Sequence, residues 1–263
     1  MGGLESPVAP SARVGNDVVD LQDPEIADRH RSERFLRRVL ADEEHARVVG
    51  ASDASDAIDA KALLWTLFAA KEAAYKLAMK LGPRPVLGHR SFVVAEDLRS
   101  VRHGDRVFEL SVTRTADLVH AVAFVGGEPE LTAVAEAPGR PAAEPSGAEP
   151  SAAEPSAADP SAAEPSAADP SAAEPSAAVR ALLASSLSVQ LGVDAAEIVV
   201  TRDPLPGSWD GYGPPRVTWG RSTPARDVSL SHHGRFVAFA LGGPVWTRGN
   251  DCPLEPGPLE QHR

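Results

Sequence analysis

Residues 61–81 read KALLWTLFAAKEAAYKLAMKL, and the reading of this stretch decides the rest. Alanine, leucine, lysine, glutamate and methionine fill most positions, and Gly82-Pro83 follows, so a long helix with a clean stop is expected. Trp65, Phe68, Glu72, Lys76 and Met79 recur three or four residues apart and share one stripe of that helix. A carboxylate in a mostly apolar stripe is costly to bury without a partner. Lys76 lies one turn beyond Glu72, and on spacing alone an ordinary helical ion pair is the simpler account.

Working outward, Arg13 to Leu21 (RVGNDVVDL) reads as a strand ending in a loop, and residues 31–49 are Arg-rich and helical in pattern. Ser91–Ala95, Val107–Val112 and Val119–Val125 read as strands. Residues 141–178 repeat a five-residue unit, AxEPS or AxDPS. Proline in every unit, with small or acidic neighbours, leaves nothing to pack, so a disordered, semi-rigid Pro/Ala-rich linker is expected. Beyond it, Val179–Leu191 reads as a helix closed by Gly192, followed by strands at Glu197–Thr201, Arg216–Trp219, Val228–Ser231 and Phe236–Leu241. The outline is α+β, with one principal helix and three or four strands on each side of the repeat. The expected divisions are 12–128, a linker at 129–178, a second part at 179–243 and a flexible tail at 244–263. The second part has about 65 residues, too few for comfortable independent stability, so it is expected to pack on the first.

The net charge of −11 overstates the acidity of the folded part. Seven acidic residues (Glu144, Glu149, Glu154, Asp159, Glu164, Asp169, Glu174) lie in the repeat, and without those seven the charge is about −4. Neither value offers the basic footprint that nucleic acid requires. The single cysteine, Cys252, rules out an internal disulfide framework and a Cys-based zinc site. No run approaches the roughly 20 apolar residues of a membrane span, and the first residues lack a secretory pattern. A cytoplasmic protein with no membrane and no nucleic-acid partner is expected.

Two further places carry chemistry. Asp17 follows Gly15-Asn16 and at strand spacing shares a face with Gly15, Val19 and Leu21. A strand-end aspartate making a turn explains it alone. Paired with Glu72, it becomes half of a two-carboxylate Mg²⁺ site completed by phosphate oxygens and water. The segment Val228-Ser229-Leu230-Ser231-His232-His233-Gly234-Arg235 places a polar turn between apolar strands. Ser231 and His232 are adjacent on a strand and point to opposite faces, which is poor geometry for a nucleophile and its base. The turn suits an anion such as phosphate; a plain polar hairpin is the alternative.

Together these pieces resemble a family. GNDVVDL (Gly15 to Leu21) is similar to a GxDxVE/D motif, FAAKEAAYK (Phe68 to Lys76) to (W/F)xxKExxxK, and VSLSHHGRFVAFAL (Val228 to Leu241) to SxSHxxxxVAxA. All three are hallmarks of the 4′-phosphopantetheinyl transferase superfamily, and RFLRRVLADEE (Arg34 to Glu44) resembles holo-acyl-carrier-protein synthases. The motif order is that of the small synthases. Leu110 to Phe124 resembles their own SxSH region with the Ser-His pair lost, so the SLSHH copy beyond the repeat would replace it. The implied fold is a pseudo-dimer of two similar halves, each a small, mainly antiparallel sheet on a long helix. The linker would join them, and a monomer would suffice.

The resemblance implies transfer of 4′-phosphopantetheine from coenzyme A to a serine of an apo acyl or peptidyl carrier protein. The carrier would come from fatty-acid, polyketide or peptide synthesis. Asp17 and Glu72 would hold Mg²⁺, with Asp20 at the motif's second acidic position. Lys76 would neutralise phosphate charge, and Lys71 would either do the same or support the helix. Ser231 and His232 would contact the 3′-phosphate side of coenzyme A. Glu72 or a metal-bound water would take the serine proton. Arg216, in Gly213-Pro214-Pro215-Arg216, would stand in for the lysine of a GKP-like segment. Arg29, Arg31, Arg34, Arg37 and Arg38 would either dock an acidic carrier helix or form a solvated basic face. The rival readings are a non-catalytic relative that binds coenzyme A or carrier protein, and a scaffold built around the repeat.

Overall fold

Strand β1 (Arg13–Asp20) is covered on both faces: Val14, Asn16, Val18, Val19 and Asp20 are all buried. One face lies on a long helix and the other meets a second sheet, so burial runs almost unbroken along the strand rather than alternating, and it takes in the polar Asn16 and Asp20. The computed structural model describes residues 11–53, 57–82, 88–137, 170–206, 211–220 and 225–244. Short helices α1 (Glu33–Val39) and α2 (Asp42–Asp53) lead into the long helix α3 (Ala57–Ala78). Then come β2 (Phe92–Val94), β3 (Ser100–His103), β4 (Arg106–Arg114) and β5 (Leu118–Val125), followed by β6 (Leu131–Glu136). Helix α4 (Pro170–Leu191) precedes β7 (Val199–Pro204), β8 (Tyr212–Thr218), β9 (Arg226–His233) and β10 (Phe236–Pro244).

The architecture is α+β, with two five-stranded antiparallel sheets ordered β1-β5-β4-β3-β2 and β6-β10-β9-β8-β7. The two orders are the same circuit. In each, an opening strand is followed by a 22-residue helix and a four-strand meander, and the opening strand pairs with the last strand of that meander. Leu64, Leu67, Ala70 and Leu77 of α3 pack with Phe92, Phe108 and Val119 in the larger core. Leu183 and Leu187 of α4 pack with Val217, Val228 and Phe239 in the smaller one.

Three differences from the sequence-based expectations have physical causes. Residues 131–136, expected to be linker, form β6, with Leu131, Ala133 and Ala135 against the smaller core. Their alternation is only six residues long and half alanine or glutamate, so local β propensity is weak and pairing with β10 decides the matter. Helix α4 starts at Pro170 rather than 179, the AEPSA units being rich in helix-forming alanine. Strand β3, four residues with a polar half, was not foreseen. Consequently the short connection 126–130 joins the two circuits, and the repeat lies between β6 and α4, within the second circuit. Residues 138–169, which hold most of the repeat, and the tail from 245 are outside the described residues.

The circuits meet along β1, β9 and β10. Val14, Val122, Phe124 and Ala240 form one small apolar seam, and Val18, Phe236 and Ala238 another. Between them runs a polar fastening. Lys80, at the end of α3, donates to Val14 O (2.7 Å) and Val228 O (2.9 Å) and pairs with buried Asp227 at 3.0 Å. Asp227 Oδ2 in turn accepts from Val14 N (2.8 Å).

Candidate functional site

The site begins with a close approach. A Cβ on Gly15 would lie 2.1 Å from Ala73 O and 2.6 Å from Leu77 N, so only glycine lets β1 rest on the backbone of α3. Two residues on, the same face of β1 presents Asp17 to that helix. Lys76 Nζ reaches Asp17 Oδ1 (2.7 Å) and Asn16 O (2.9 Å). The ion pair of Lys76 is therefore made across elements, with Asp17, and not with Glu72 along the helix. Glu72 Oε1 instead takes His89 Nε2 at 2.6 Å, and the His89 ring stacks on Phe68 at 5.1 Å.

The electrostatics tie these groups together. Burial pushes the Asp17 carboxyl above its ordinary value, Lys76 opposes that, Glu72 adds to it by like charge, and His233 opposes it. Asp17, Glu72, Lys76 and His233 are thus near enough to act on one another's charge, the two carboxylates coming from separate elements, β1 and α3. Sequence reading missed His89 and His233. For His89 no spacing rule applies, because only the fold returns residue 89 to the stripe of α3. His233 carried a signal, being adjacent to His232 in the SLSHH turn.

Ser231 and His232 fall on opposite faces of β9, Ser231 buried and His232 exposed, as strand alternation requires. Asn16 binds this strand to β1: its backbone N–H donates to Ser229 Oγ (2.9 Å) and its side-chain amide to Ser231 Oγ (2.9 Å). The same amide lies 3.3 Å from His120 Nε2.

Three expected site residues are engaged elsewhere. Lys71 is enclosed, with Nζ 2.5 Å from Glu44 Oε2 and donating to His89 O (3.1 Å) and Phe92 O (2.6 Å). An ammonium has three donors, and all are used, so Lys71 supports the helix and does not reach a phosphate. Asp20, expected at the metal, accepts from Arg235 N, Nε and Nη2 and from Gln22 N at 2.9–3.0 Å. Burial works to raise its pKa, but the Arg235 and Gln22 hydrogen bonds outweigh that and hold it below the ordinary value. Arg216 pairs with Asp203 of the edge strand β7 at 2.7 Å and is not brought to the Asp17 group.

His120 gives the site a measurable pH signature. Burial, helped by the nearby Lys76 charge, pulls its pKa down from 6.5 to about 4. The neutral ring is therefore favoured in the fold. The associated stability is fully present above pH 6.5 and is lost as pH falls towards 4, on the order of 3 kcal/mol by linkage. Urea denaturation at pH 7 and pH 4 should show His120→Gln losing less stability over that interval than the wild type by about this amount. An equal loss in both would show that His120 titrates normally.

The chain has no match among curated proteins. A family model described as the 4′-phosphopantetheinyl transferase superfamily matches residues 13–133, the span from β1, through Asp17, Glu72 and Lys76, into β6. That segment, which carries Asp17, Glu72 and Lys76, is similar to the 4′-phosphopantetheinyl transferase superfamily.

Proposed function

We propose that the protein transfers 4′-phosphopantetheine from coenzyme A to a serine of an apo carrier protein and releases adenosine 3′,5′-bisphosphate. The observation that carries this is the Asp17–Lys76 pair, which sets Asp17 against the stretch of α3 that holds Glu72, at the seam where β9 and its SLSHH turn meet β1.

Among the described residues no group of three His, Cys, Asp or Glu side chains surrounds one point. Mg²⁺ does not need one: it is commonly held by one or two carboxylates, with substrate phosphates and water completing the shell. The two hard oxygen donors of Asp17 and Glu72 fit that requirement, and the ion would supply charge neutralisation on the pyrophosphate. Lys76 adds a positive charge at the leaving group. The serine oxygen forms a bond to the β-phosphorus as the pyrophosphate bond breaks, and Glu72 accepts the serine proton. His232, exposed on β9, faces the 3′-phosphate, and Arg29, Arg31, Arg34, Arg37 and Arg38 meet the acidic carrier surface.

The matched circuits support one composite site in a pseudo-dimer that needs no second chain. Asp17 stands opposite Ala121 on β5, whereas Val134 stands opposite Ala238 on β10. The second circuit thus has no carboxylate at the equivalent place, and the first has no Ser-His pair in its β4–β5 hairpin.

The test is incubation with coenzyme A, Mg²⁺ and several apo carrier proteins, read by intact mass. A carrier should gain the phosphopantetheine arm, and chelation of the metal should stop it. Coenzyme A binding without transfer to any carrier would instead identify a non-catalytic relative.

A further inference from the structure

We infer that Asp20 and Arg235 form a clamp that fixes the β9–β10 turn, and with it His232, against the end of β1. On this inference, which rests on the proposed function, Asp20 is a positioning residue and not a metal ligand.

The first argument is phase. Asp17 and Asp20 are three residues apart on one strand, and the β1–β5 register runs without a bulge from Arg13 to Asp20. Side chains alternate along a strand, so residues three apart point to opposite faces. Asp17 turns to α3, and Asp20 turns away from it to the second sheet.

The second argument is capacity. An ionised carboxylate offers about four lone-pair positions. On Asp20 all four are taken: Oδ2 by Arg235 N (3.0 Å) and Nε (2.9 Å), Oδ1 by Arg235 Nη2 (3.0 Å) and Gln22 N (2.9 Å). The Nε and Nη2 pair is the bidentate arrangement that gives Arg–carboxylate contacts their directional strength. Capture by a cation would have to break this set.

The third argument is how many parts of the turn converge on this one residue. Asp20 N donates to His233 Nδ1 (3.1 Å). Gly234 adopts φ +53°, and a Cβ there would sit 2.5 Å from Asp20 Cβ and Oδ2. Arg235 lies over the Phe236 ring, 5.0 Å from its centroid, and Phe236 packs with Val18 in the inter-sheet seam. Thus His233, Gly234 and Arg235 are all seated on Asp20, immediately beyond His232. The clamp spans the two circuits, so its consequence falls on the relative placement of the Asp17 carboxylate and the His232 side.

The test compares Asp20→Asn, Arg235→Leu and the double variant, with Arg235→Lys keeping the charge in case the harsher changes do not fold. Backbone amide exchange at 234–237 should accelerate at least tenfold in each single variant, while α3 is unaffected. Coenzyme A should bind about tenfold more weakly in both, and the double variant should be no worse than either single one. Mn²⁺ affinity, read by electron paramagnetic resonance without turnover, should stay within about twofold of wild type, with Asp17→Ala as the control that loses it. Loss of Mn²⁺ binding in Asp20→Asn but not in Arg235→Leu would make Asp20 a ligand and overturn the inference. Unchanged exchange at the turn would do the same. A wild type that binds neither coenzyme A nor Mn²⁺ would sink the functional reading, and the exchange data would still decide the clamp.

Discussion

Asp17→Ala is expected to lower kcat/KM for transfer by on the order of 10³-fold, several kcal/mol of transition-state charge stabilisation, and to leave the protein folded. The stability half of this expectation follows from the site's own electrostatics. The Asp17 pKa is raised by burial and by Glu72, so its charged form is disfavoured in the fold rather than stabilising it. Removing that charge leaves Lys76 part-exposed and still donating to Asn16 O, so no charge is stranded inside. Asp17→Asn should therefore denature at the same urea concentration as wild type or higher, a cost to stability that active sites commonly carry. Glu72→Ala should lose activity comparably. Most of the wild-type activity surviving in both variants in excess Mg²⁺ would remove the metal assignment.

The second large effect concerns stability. Glu44→Ala strands the enclosed Lys71 ammonium and also leaves Ala41 N and Val94 N without their acceptor. Breaking one partner out of a buried pair costs about 3–5 kcal/mol, whereas replacing both by apolar residues of similar volume is often neutral. Glu44→Ala should thus lose about that much in urea denaturation, and Glu44→Leu with Lys71→Met should recover the share due to the stranded charge but not the share due to Ala41 N and Val94 N, which still lack an acceptor. The double variant should also bind coenzyme A normally, because Lys71 has no donor left for a phosphate. A loss below about 1 kcal/mol in Glu44→Ala would mean that the pair is not closed to solvent.

Much of this was legible in the sequence because it depends on local pattern. The composition and stop of 61–81 mark α3, and the alternation around Ser231-His232 correctly separates their faces. Helical geometry also separates Lys71 from Lys76, five positions and about 140° apart, so they could not both face Asp17. What was hidden depends on partners far along the chain. The Asp20 side chain is claimed by Arg235, 215 residues away, and Glu72 by His89 on a turn with no repeating pattern. β6 was hidden for the same reason: its six residues gain their strand character from β10, about 100 residues downstream.

The position of the repeat, between β6 and α4, has a topological consequence. A protease cut anywhere in 138–169 would leave one piece ending in β6 and the other beginning before α4. Those pieces would still share the second sheet through the β6–β10 ladder from Leu131 to Glu136. They would also remain joined at the β1–β9 seam through Asn16, Asp227 and Asp20. Such a nick would yield a non-covalent heterodimer rather than two separate halves. The chain is thus laid out as a natural split protein, whose two fragments complement one another across an existing sheet.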